Sequence, residues 1–173
     1  MQDTVLTDQD IRERMQHSPP LIAGLLDEAT QVQSCGVDLT LRAVSRFLSA
    51  GFLDFDNVRR SLATREQIPW LNDAMELSPG AYHIVYNEQV NLPPDVMALA
   101  YPRSSLLRCG VTTYTAVWDP GYSGRAEALM LVHNPYGFIL DRRARVTQLV
   151  FTRLGSDVAA LYEGRYNREN LDE

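Results

Sequence analysis

The chain has no lysine: all 16 basic residues among its 173 are arginine. A Walker A phosphate loop and Schiff-base catalysis both need a lysine, so both are excluded. Any side-chain binding of phosphate must therefore use arginine, hydroxyl and amide groups. The net charge of −6 also argues against a polymeric nucleic acid as partner, because duplex binding depends on neutralising backbone phosphates.

Cysteine and histidine are scarce. Cys35 and Cys109 lack CxxC spacing, and the three scattered histidines add no zinc-binding pattern. The His-x-Glu and Pro-Cys-x-x-Cys signature of the zinc nucleobase deaminases is also missing. We expect the two cysteines to be buried free thiols rather than a disulfide.

Long apolar runs are missing as well. No segment approaches the ~18 apolar residues of a membrane span, and the N-terminal MQDTVLTDQDIRERM lacks the apolar core of a signal peptide. The sequence thus predicts a cytoplasmic protein with no membrane partner. Its length fits one domain, residues 1–173.

The N-terminal part, residues 1–30, is predicted to be a helical segment. Thr7 can cap a short helix with the sequence DQDIRERM, which has acidic residues in its first turn and basic residues later. Pro19 and Pro20 would then end the helical region.

From Val32 onward, short runs of strand-like sequence alternate with Pro- and Gly-containing turns. This spacing is typical of an antiparallel sandwich or barrel. Residues 51–73 interrupt the pattern, and we expect an irregular excursion with one helical turn. The polar residues 160–173 are predicted to be a mobile tail.

Four polar clusters fall at strand ends or turns. They are Gly36-Val37-Asp38-Leu39, Pro102-Arg103-Ser104-Ser105-Leu106, Asp119-Pro120-Gly121-Tyr122-Ser123-Gly124 and Arg145-Val146-Thr147-Gln148-Leu149. A guanidinium beside hydroxyls suits phosphate oxygens, and a carboxylate on a Pro-Gly turn suits a water or a sugar hydroxyl. Structural alternatives stay open here: Asp38 could pair with an arginine, Arg103 could lie in a solvated turn, and Asp119 could only be a turn residue.

The order and spacing of these clusters resemble the deoxyuridine triphosphatase and dCTP deaminase superfamily, from about Val32 to Tyr166. The motifs are GVDL, PRSSL, VWDPGYSG and RVTQLVF, with GRY in the tail, and AVWD and NPYGF are most similar to the archaeal-type dUTPase branch. The resemblance implies an all-β fold with a short N-terminal helix, a distorted β-barrel of jelly-roll type. It also implies a homotrimer whose active sites are shared between subunits.

The resemblance assigns roles to individual residues. Asp119, Arg103 and Gln148 would be catalytic, with Asp119 positioning the attacking water. Asp38 would give polar support near a magnesium ion that the triphosphate itself mainly holds, without a direct protein ligand. The substrate-binding residues would be Ser104, Ser105, Arg108, Thr113, Tyr122, Arg145, Gly164 and Tyr166.

Two activities share this family scaffold. The deaminases carry an essential Glu ten residues after the Asp, where this chain has Leu129, or Leu131 if the strand is shifted by two. We therefore expect hydrolysis of dUTP to dUMP and pyrophosphate with Mg²⁺. A dCTP deaminase, alone or bifunctional, remains an alternative, because a β-bulge could turn Glu127 inward, although a solvent-facing Glu127 is the simpler expectation. A non-catalytic nucleotide-binding trimer is a further alternative.

Overall fold

The computed structural model describes residues 4–156 and 158–171. In these residues the chain forms three short helices and fifteen strands. The helices are α1 (Asp8–Met15), α2 (Glu28–Gln31) and α3 (Ser104–Arg108). The strands are β1 (Thr4–Val5), β2 (Ile22–Ala23), β3 (Val32–Gln33), β4 (Gly36–Leu39), β5 (Leu41–Phe47), β6 (Arg65–Gln67), β7 (Ala74–Leu77), β8 (Gly80–Tyr86), β9 (Gln89–Asn91), β10 (Val96–Pro102), β11 (Val111–Tyr114), β12 (Ser123–Gly124), β13 (Glu127–Val132), β14 (Phe138–Asp141) and β15 (Thr147–Arg153). None of the described helices has the length and apolar character needed to cross a bilayer.

Two antiparallel five-stranded sheets form most of the molecule. In the first, β15 pairs with β1, β4 and β10, and β4 pairs in turn with β3. The second has the order β11-β13-β8-β5-β6. The strands curl into a half-barrel. The predicted all-β, barrel-like fold is therefore confirmed.

The core lies between the inner faces of these strands. Val37, Ile84, Met130, Leu149 and Phe151 are completely buried. Burial of one such side chain contributes about 1.5–3 kcal/mol. The strands β4 and β15, which carry two of the polar clusters, are therefore held in place by their buried apolar residues, such as Val37 and Leu149.

The N-terminal helix α1 begins as the sequence predicts. The Thr7 hydroxyl accepts a hydrogen bond from the Asp10 amide at 3.3 Å, and the Asp10 carboxylate accepts one from the Thr7 amide at 2.9 Å. This capping box satisfies two backbone donors at the helix start. Later in the helix, Arg14 pairs with Asp95 at 2.7 Å and ties α1 to the loop before β10.

The excursion has a different structure from the predicted one. Residues 51–73 contain no helical turn; Phe52 and Ser61 form a β-bridge, and β6 pairs with the end of β5. Asn57, at a φ of 60°, lies in the bend between them. Main-chain pairing thus extends the edge of the second sheet into a hairpin, residues 48–67, which we call the arm.

The prediction for the cysteines is half right. Cys35 and Cys109 are free, but both are exposed. Cys35 lies in the tight connection between β3 and β4, and Cys109 ends α3, so both occupy surface turns. Connections of this kind run over the surface because their backbone groups need water.

Candidate active site

A carboxylate and two guanidinium groups form the first part of the site, which we call the guanidinium cluster. The Oδ2 atom of Asp38 lies 2.9 Å from Arg103 Nε and 3.0 Å from Arg145 Nη1. Asp38 is 1% exposed, and its burial raises the pKa of the carboxyl while both arginines oppose the rise. The arginine pairing that the sequence left open for Asp38 is therefore present.

Both arginines also keep part of their surface free. Each side chain is 28% exposed. The backbone of Arg103 is held in place because its amide donates a hydrogen bond to the carbonyl of Val146 at 3.0 Å. Beside them, helix α3 begins with Ser104 and Ser105 and ends with Arg108. All three side chains are exposed. The sequence predicted a turn here and missed this one-turn helix, because five residues are too few to establish a helical period.

Gln148 lies on β15 between Tyr101 of β10 and Asp38 of β4. Gly36 passes directly beside it: a Cβ atom on Gly36 would lie 2.5 Å from the Leu149 carbonyl oxygen and 3.2 Å from Gln148 Nε2. Only glycine allows this close approach of the backbone. The first glycine of the GVDL motif thus leaves room for the amide of Gln148.

A pocket of about 330 Å³ forms the second part of the site. Its lining residues are Ala116, Val117, Trp118, Asp119, Tyr122, Ala126, Glu127, Tyr162, Tyr166 and Glu169. A β-bridge from Trp118 to Ala98 holds the segment, and Gly121, at a φ of +88°, allows the turn in which the Tyr122 amide donates to the Asp119 carbonyl. The Asp119 side chain is exposed at the pocket, and no hydrogen bond or ion pair to its carboxylate is found within residues 4–156 and 158–171.

Tyr122 forms one wall of the pocket and is only 6% exposed. Its hydroxyl donates to Glu169 Oε1 at 2.9 Å, and its ring lies 6.2 Å from that of Tyr162. Burial, reinforced by the nearby Glu169, raises the pKa of Tyr122, so the phenol stays protonated. The sequence did not identify Glu169 or Tyr162 as pocket residues.

The C-terminal segment, residues 158–171, packs along this pocket. Tyr162 and Arg168 donate their amides to the carbonyls of Pro120 and Ser123, at 2.8 and 2.6 Å. Tyr166 reaches the pocket, and Gly164 accepts from the amide of Asn167 at 3.0 Å in the preceding turn. The mobility expected for residues 160–173 stays a prediction, and residues 172 and 173 lie outside the described part.

Glu127 lies at the pocket and is partly exposed, with 28% of its side-chain surface open to solvent, so it is neither the fully solvent-facing residue of the simpler expectation nor a buried one. β13 runs in regular register with β8, and no bulge is needed for Glu127 to reach the pocket. Its Oε2 accepts from Arg65 Nη1 at 2.7 Å and lies 2.8 Å from His83 Nε2. Burial raises the pKa of Glu127, but the contacts with His83 and Arg65 outweigh it and lower the pKa to about 2. Glu127 is therefore a fixed carboxylate.

Glu169 behaves in the opposite way. Burial raises its pKa to about 7, and the nearby negative charge of Glu127 adds to the rise, while Tyr122 and Arg65 oppose it. Because docking of the segment favours the protonated carboxyl, docking is strongest below the ordinary Glu pKa of about 4.5 and weakens as the pH rises through 7.

We expect hydrogen exchange in residues 158–171 to quicken, beyond its intrinsic pH dependence, between pH 6 and 8. A Glu169→Gln variant, which keeps a neutral hydrogen-bonding group, should lose this extra dependence. An identical pH profile in both proteins would contradict the assignment of the transition to Glu169.

Thr113 is the predicted substrate-binding residue whose side chain is most enclosed. It is 4% exposed, its hydroxyl lies 3.0 Å from that of Thr147, and the Tyr86 hydroxyl donates to Thr147 as well. The side chain thus belongs to a buried hydroxyl network. Contact of Thr113 with a substrate stays a prediction, and it would involve the backbone of β11.

The guanidinium cluster and the pocket are far apart in one chain. Ala98 of β10 pairs with Trp118 at the pocket, whereas Pro102 of the same strand lies opposite Thr147, beside the cluster. Four residues of strand separate these levels by roughly 13 Å. The structure therefore brings Asp119, Tyr122 and Tyr166 together at one end, and Asp38, Arg103, Arg145 and Gln148 at the other.

Comparison with known proteins agrees with this architecture. A crystal structure of the 2'-deoxycytidine 5'-triphosphate deaminase from Agrobacterium tumefaciens superimposes with a TM-score of 0.67 at 22% sequence identity, over 88% of this chain and 49% of that chain. At this identity the likeness supports the fold alone.

Sequence relatives are more informative. The chain is 44% identical over 169 residues to the "Probable deoxyuridine 5'-triphosphate nucleotidohydrolase" of Methanococcoides burtonii, covering 97% of this chain and 99% of the relative. A protein of the same name from Archaeoglobus fulgidus is 47% identical over 168 residues, covering 97% and 98%. The "Deoxyuridine 5'-triphosphate nucleotidohydrolase" of Methanocaldococcus jannaschii is 40% identical over 141 residues, covering 80% and 88%. The dCTP deaminase-like family model matches residues 5–154. The chain therefore belongs to the dCTP deaminase-like family.

Proposed function

We propose that this protein hydrolyses dUTP to dUMP and pyrophosphate. The observation that carries the proposal is the accessible carboxylate of Asp119 in the same pocket as the buried ring of Tyr122. The position at which the deaminase resemblance requires a Glu is Leu129, an apolar residue on β13. The names of the archaeal relatives support the same activity.

The residues divide the work of phosphoanhydride cleavage between them. The exposed edges of Arg103 and Arg145, with the hydroxyls of Ser104 and Ser105, neutralise and orient the phosphates, and Arg108 and Gln148 add donors. Asp119 accepts a hydrogen bond from a water and orients it for attack on a phosphorus atom. Positioning and charge stabilisation of this kind are what a phosphoryl-transfer transition state requires.

Magnesium fits these residues only as an ion that the nucleotide brings with it. Among the described residues no three His, Cys, Asp or Glu side chains cluster as a metal site. Glu127 is bound by Arg65, and Glu169 receives the Tyr122 hydroxyl, so Asp119 is the pocket carboxylate left for a water of such an ion. Bound Mg²⁺ would neutralise phosphate charge while it keeps several of its waters.

We also propose that one active site is shared by two copies in a homotrimer. Within one chain the two parts of the site lie roughly 13 Å apart along β10, and a second copy would supply a guanidinium cluster closer to the pocket. Exposed apolar side chains lie on β10 and on the segment before Asp119, as an interface would need: Leu99, Tyr101, Tyr114 and Val117.

Sharing of the site is testable by mixing subunits. Gln148→Ala damages the phosphate end and Asp119→Asn damages the water end, so each homo-oligomer should be nearly inactive. Co-expressed mixed oligomers should regain activity, because some sites then combine an intact Gln148 with an intact Asp119. Activity no higher than the sum of the two single variants would argue for sites built within one chain.

Sugar selection should depend on Tyr122. Replacement by Ala opens the pocket wall, so we expect the ratio of kcat/KM for UTP over dUTP to rise at least tenfold. Tyr122→Phe is the matched control: it removes only the hydroxyl that bonds Glu169 and should keep the preference for deoxyribose. If Tyr122→Ala and the parent protein show equal sugar preference, the ring does not exclude the 2'-hydroxyl.

Deamination of dCTP is a second candidate because of Glu169. A carboxyl with a pKa of about 7 in the pocket has the protonation behaviour that a general acid–base catalyst needs. Glu127, held ionised, lacks it.

The decisive experiment incubates the purified protein with Mg²⁺ and either dUTP or dCTP, and resolves all products by chromatography. We expect dUMP and pyrophosphate from dUTP and no change in dCTP. Ammonia released from dCTP would favour the deaminase and point to Glu169. No product from either nucleotide would favour a non-catalytic binding protein.

A further inference from the structure

The arm is linked to the C-terminal segment by one direct contact and by one that passes through Glu127, and the proposed reaction uses neither. The first is a stack: the guanidinium carbon of Arg60 lies 5.6 Å from the centre of the Tyr166 ring. The Nε atom of Arg60 is buried, with no hydrogen-bond partner in the part of the chain that the structure describes. Contact with the aromatic face is thus the interaction that holds this guanidinium.

The second contact passes through Glu127. Arg65, in β6 at the base of the arm, donates to Glu127 Oε2 at 2.7 Å. The other carboxylate oxygen, Oε1, accepts from the side-chain amide of Asn170 in the C-terminal segment at 3.4 Å. His83 braces Glu127 from β8. Arg65 therefore holds in place the Glu127 carboxylate that accepts the hydrogen bond from Asn170.

We propose that the arm positions the C-terminal segment over the pocket, and that Arg60 and Arg65 are positioning residues for nucleotide binding. Tyr166 and Glu169 both line the pocket, so a segment held by the arm presents a completed wall to the ligand. An arm that is lost or displaced leaves that wall to be ordered by the nucleotide itself, which weakens binding. The kinetic side of this inference rests on the proposed dUTPase activity, whereas the contact between arm and segment does not.

The size of the effect follows from the interactions removed. Loss of a partly desolvated cation–π contact weakens an equilibrium by roughly 2- to 30-fold. We expect Arg60→Ala to raise KM for dUTP within this range and to leave kcat within about twofold, because the arm touches neither Asp119 nor the guanidinium cluster. Arg65→Gln should act in the same direction.

A double-mutant cycle separates this positioning role from a general loss of stability. Arg60→Ala, Tyr166→Ala and the double variant are compared. Because Tyr166 also lines the pocket, its loss has an effect of its own, but Arg60→Ala should add almost nothing to Tyr166→Ala if the stack is what positions the segment. Arg59→Ala is the matched control: its guanidinium lies over Phe52, 5.1 Å from the ring centre, and pairs with Asp54 inside the arm. It should leave KM unchanged.

Hydrogen exchange without nucleotide gives a readout independent of activity. Arg60→Ala should quicken exchange of the Tyr162 and Arg168 amides. The amides of Phe52 and Ser61, each of which donates to the carbonyl of the other residue across the arm, should stay protected. Unchanged exchange in the C-terminal segment, or fully additive KM effects, would overturn the proposal. A protein inactive on dUTP that still shows this exchange pattern would refute the proposed activity and leave the positioning contact standing.

Discussion

Asp119→Asn is expected to abolish hydrolysis of dUTP while the protein remains folded. The amide keeps the size of the side chain and can still hydrogen-bond a sugar hydroxyl, but it cannot accept a proton from the attacking water. Loss of a positioned base costs roughly 10²- to 10⁴-fold in rate, so kcat should fall by that factor. KM for dUTP should change little, because phosphate binding depends on the other end of the site.

The control for this variant is Asp73→Asn, which also removes one negative charge, but from a residue that does not line the pocket. Asp73 is exposed, and its carboxylate makes a 3.5 Å contact with Arg142; its carbonyl, which the substitution keeps, accepts from the Arg142 amide at 2.8 Å. Both variants should unfold at the same temperature as the parent, since Asp119 is exposed too. A kcat for Asp119→Asn equal to that of Asp73→Asn would rule out the water-positioning role.

The parts of the site that the sequence predicted are those carried by local motifs. Tyr122 follows Asp119 by three residues on a Pro-Gly turn, and a turn of this kind fixes the relation of its residues whatever the rest of the chain does. Pairing of Asp38 with an arginine is an alternative that the sequence also indicates, because a buried charge needs a partner and every basic residue of this chain is an arginine. Which arginines they are, Arg103 and Arg145, appears only in the structure.

The residues that the sequence missed act across long separations. Tyr122 and Glu169 are 47 positions apart, and Arg65 and Glu127 are 62 apart. Neither Glu169 nor Arg65 has a neighbour in sequence that marks it, since each lies in a polar stretch without hydrophobic periodicity. Their roles arise only from tertiary packing, which no local pattern encodes.

One strand boundary illustrates the same limit. The strand-like run AYHIVYNEQV is divided into β8 and β9 at Asn87 and Glu88. Glu88 is completely buried, and its carboxylate accepts hydrogen bonds from the Thr40 amide at 2.9 Å and from Gln31 at 2.7 Å. Because these partners come from other parts of the chain, no local pattern indicates that the turn bends inward there.

Asp38→Asn is expected to destabilise the protein more than any other single charge change in the site. The substitution removes the carboxylate that two guanidinium groups share and leaves their positive charges facing each other. Removal of one partner from a buried ion pair costs about 3–5 kcal/mol. We expect the lower end of this range, because solvent still reaches both arginines and because burial, which raises the pKa of Asp38, already disfavours its charge. Urea unfolding of the two proteins measures this difference directly.

Asp95→Asn is a matched control, because Asp95 also lies between two arginines but its side chain is more exposed to solvent. Asp95 lies between Arg14, at 2.7 Å, and Arg153, at 3.8 Å, but its side chain is 33% exposed whereas that of Asp38 is 2% exposed. Partly exposed ion pairs contribute less than buried ones, so this variant should lose less stability than Asp38→Asn, although Arg14 donates two hydrogen bonds to Asp95. Equal losses in the two variants would mean that burial does not set the cost at Asp38. A large loss at Asp38 alone would mean that the GVDL motif stabilises the fold through the same two arginines that the proposed reaction uses to bind phosphate.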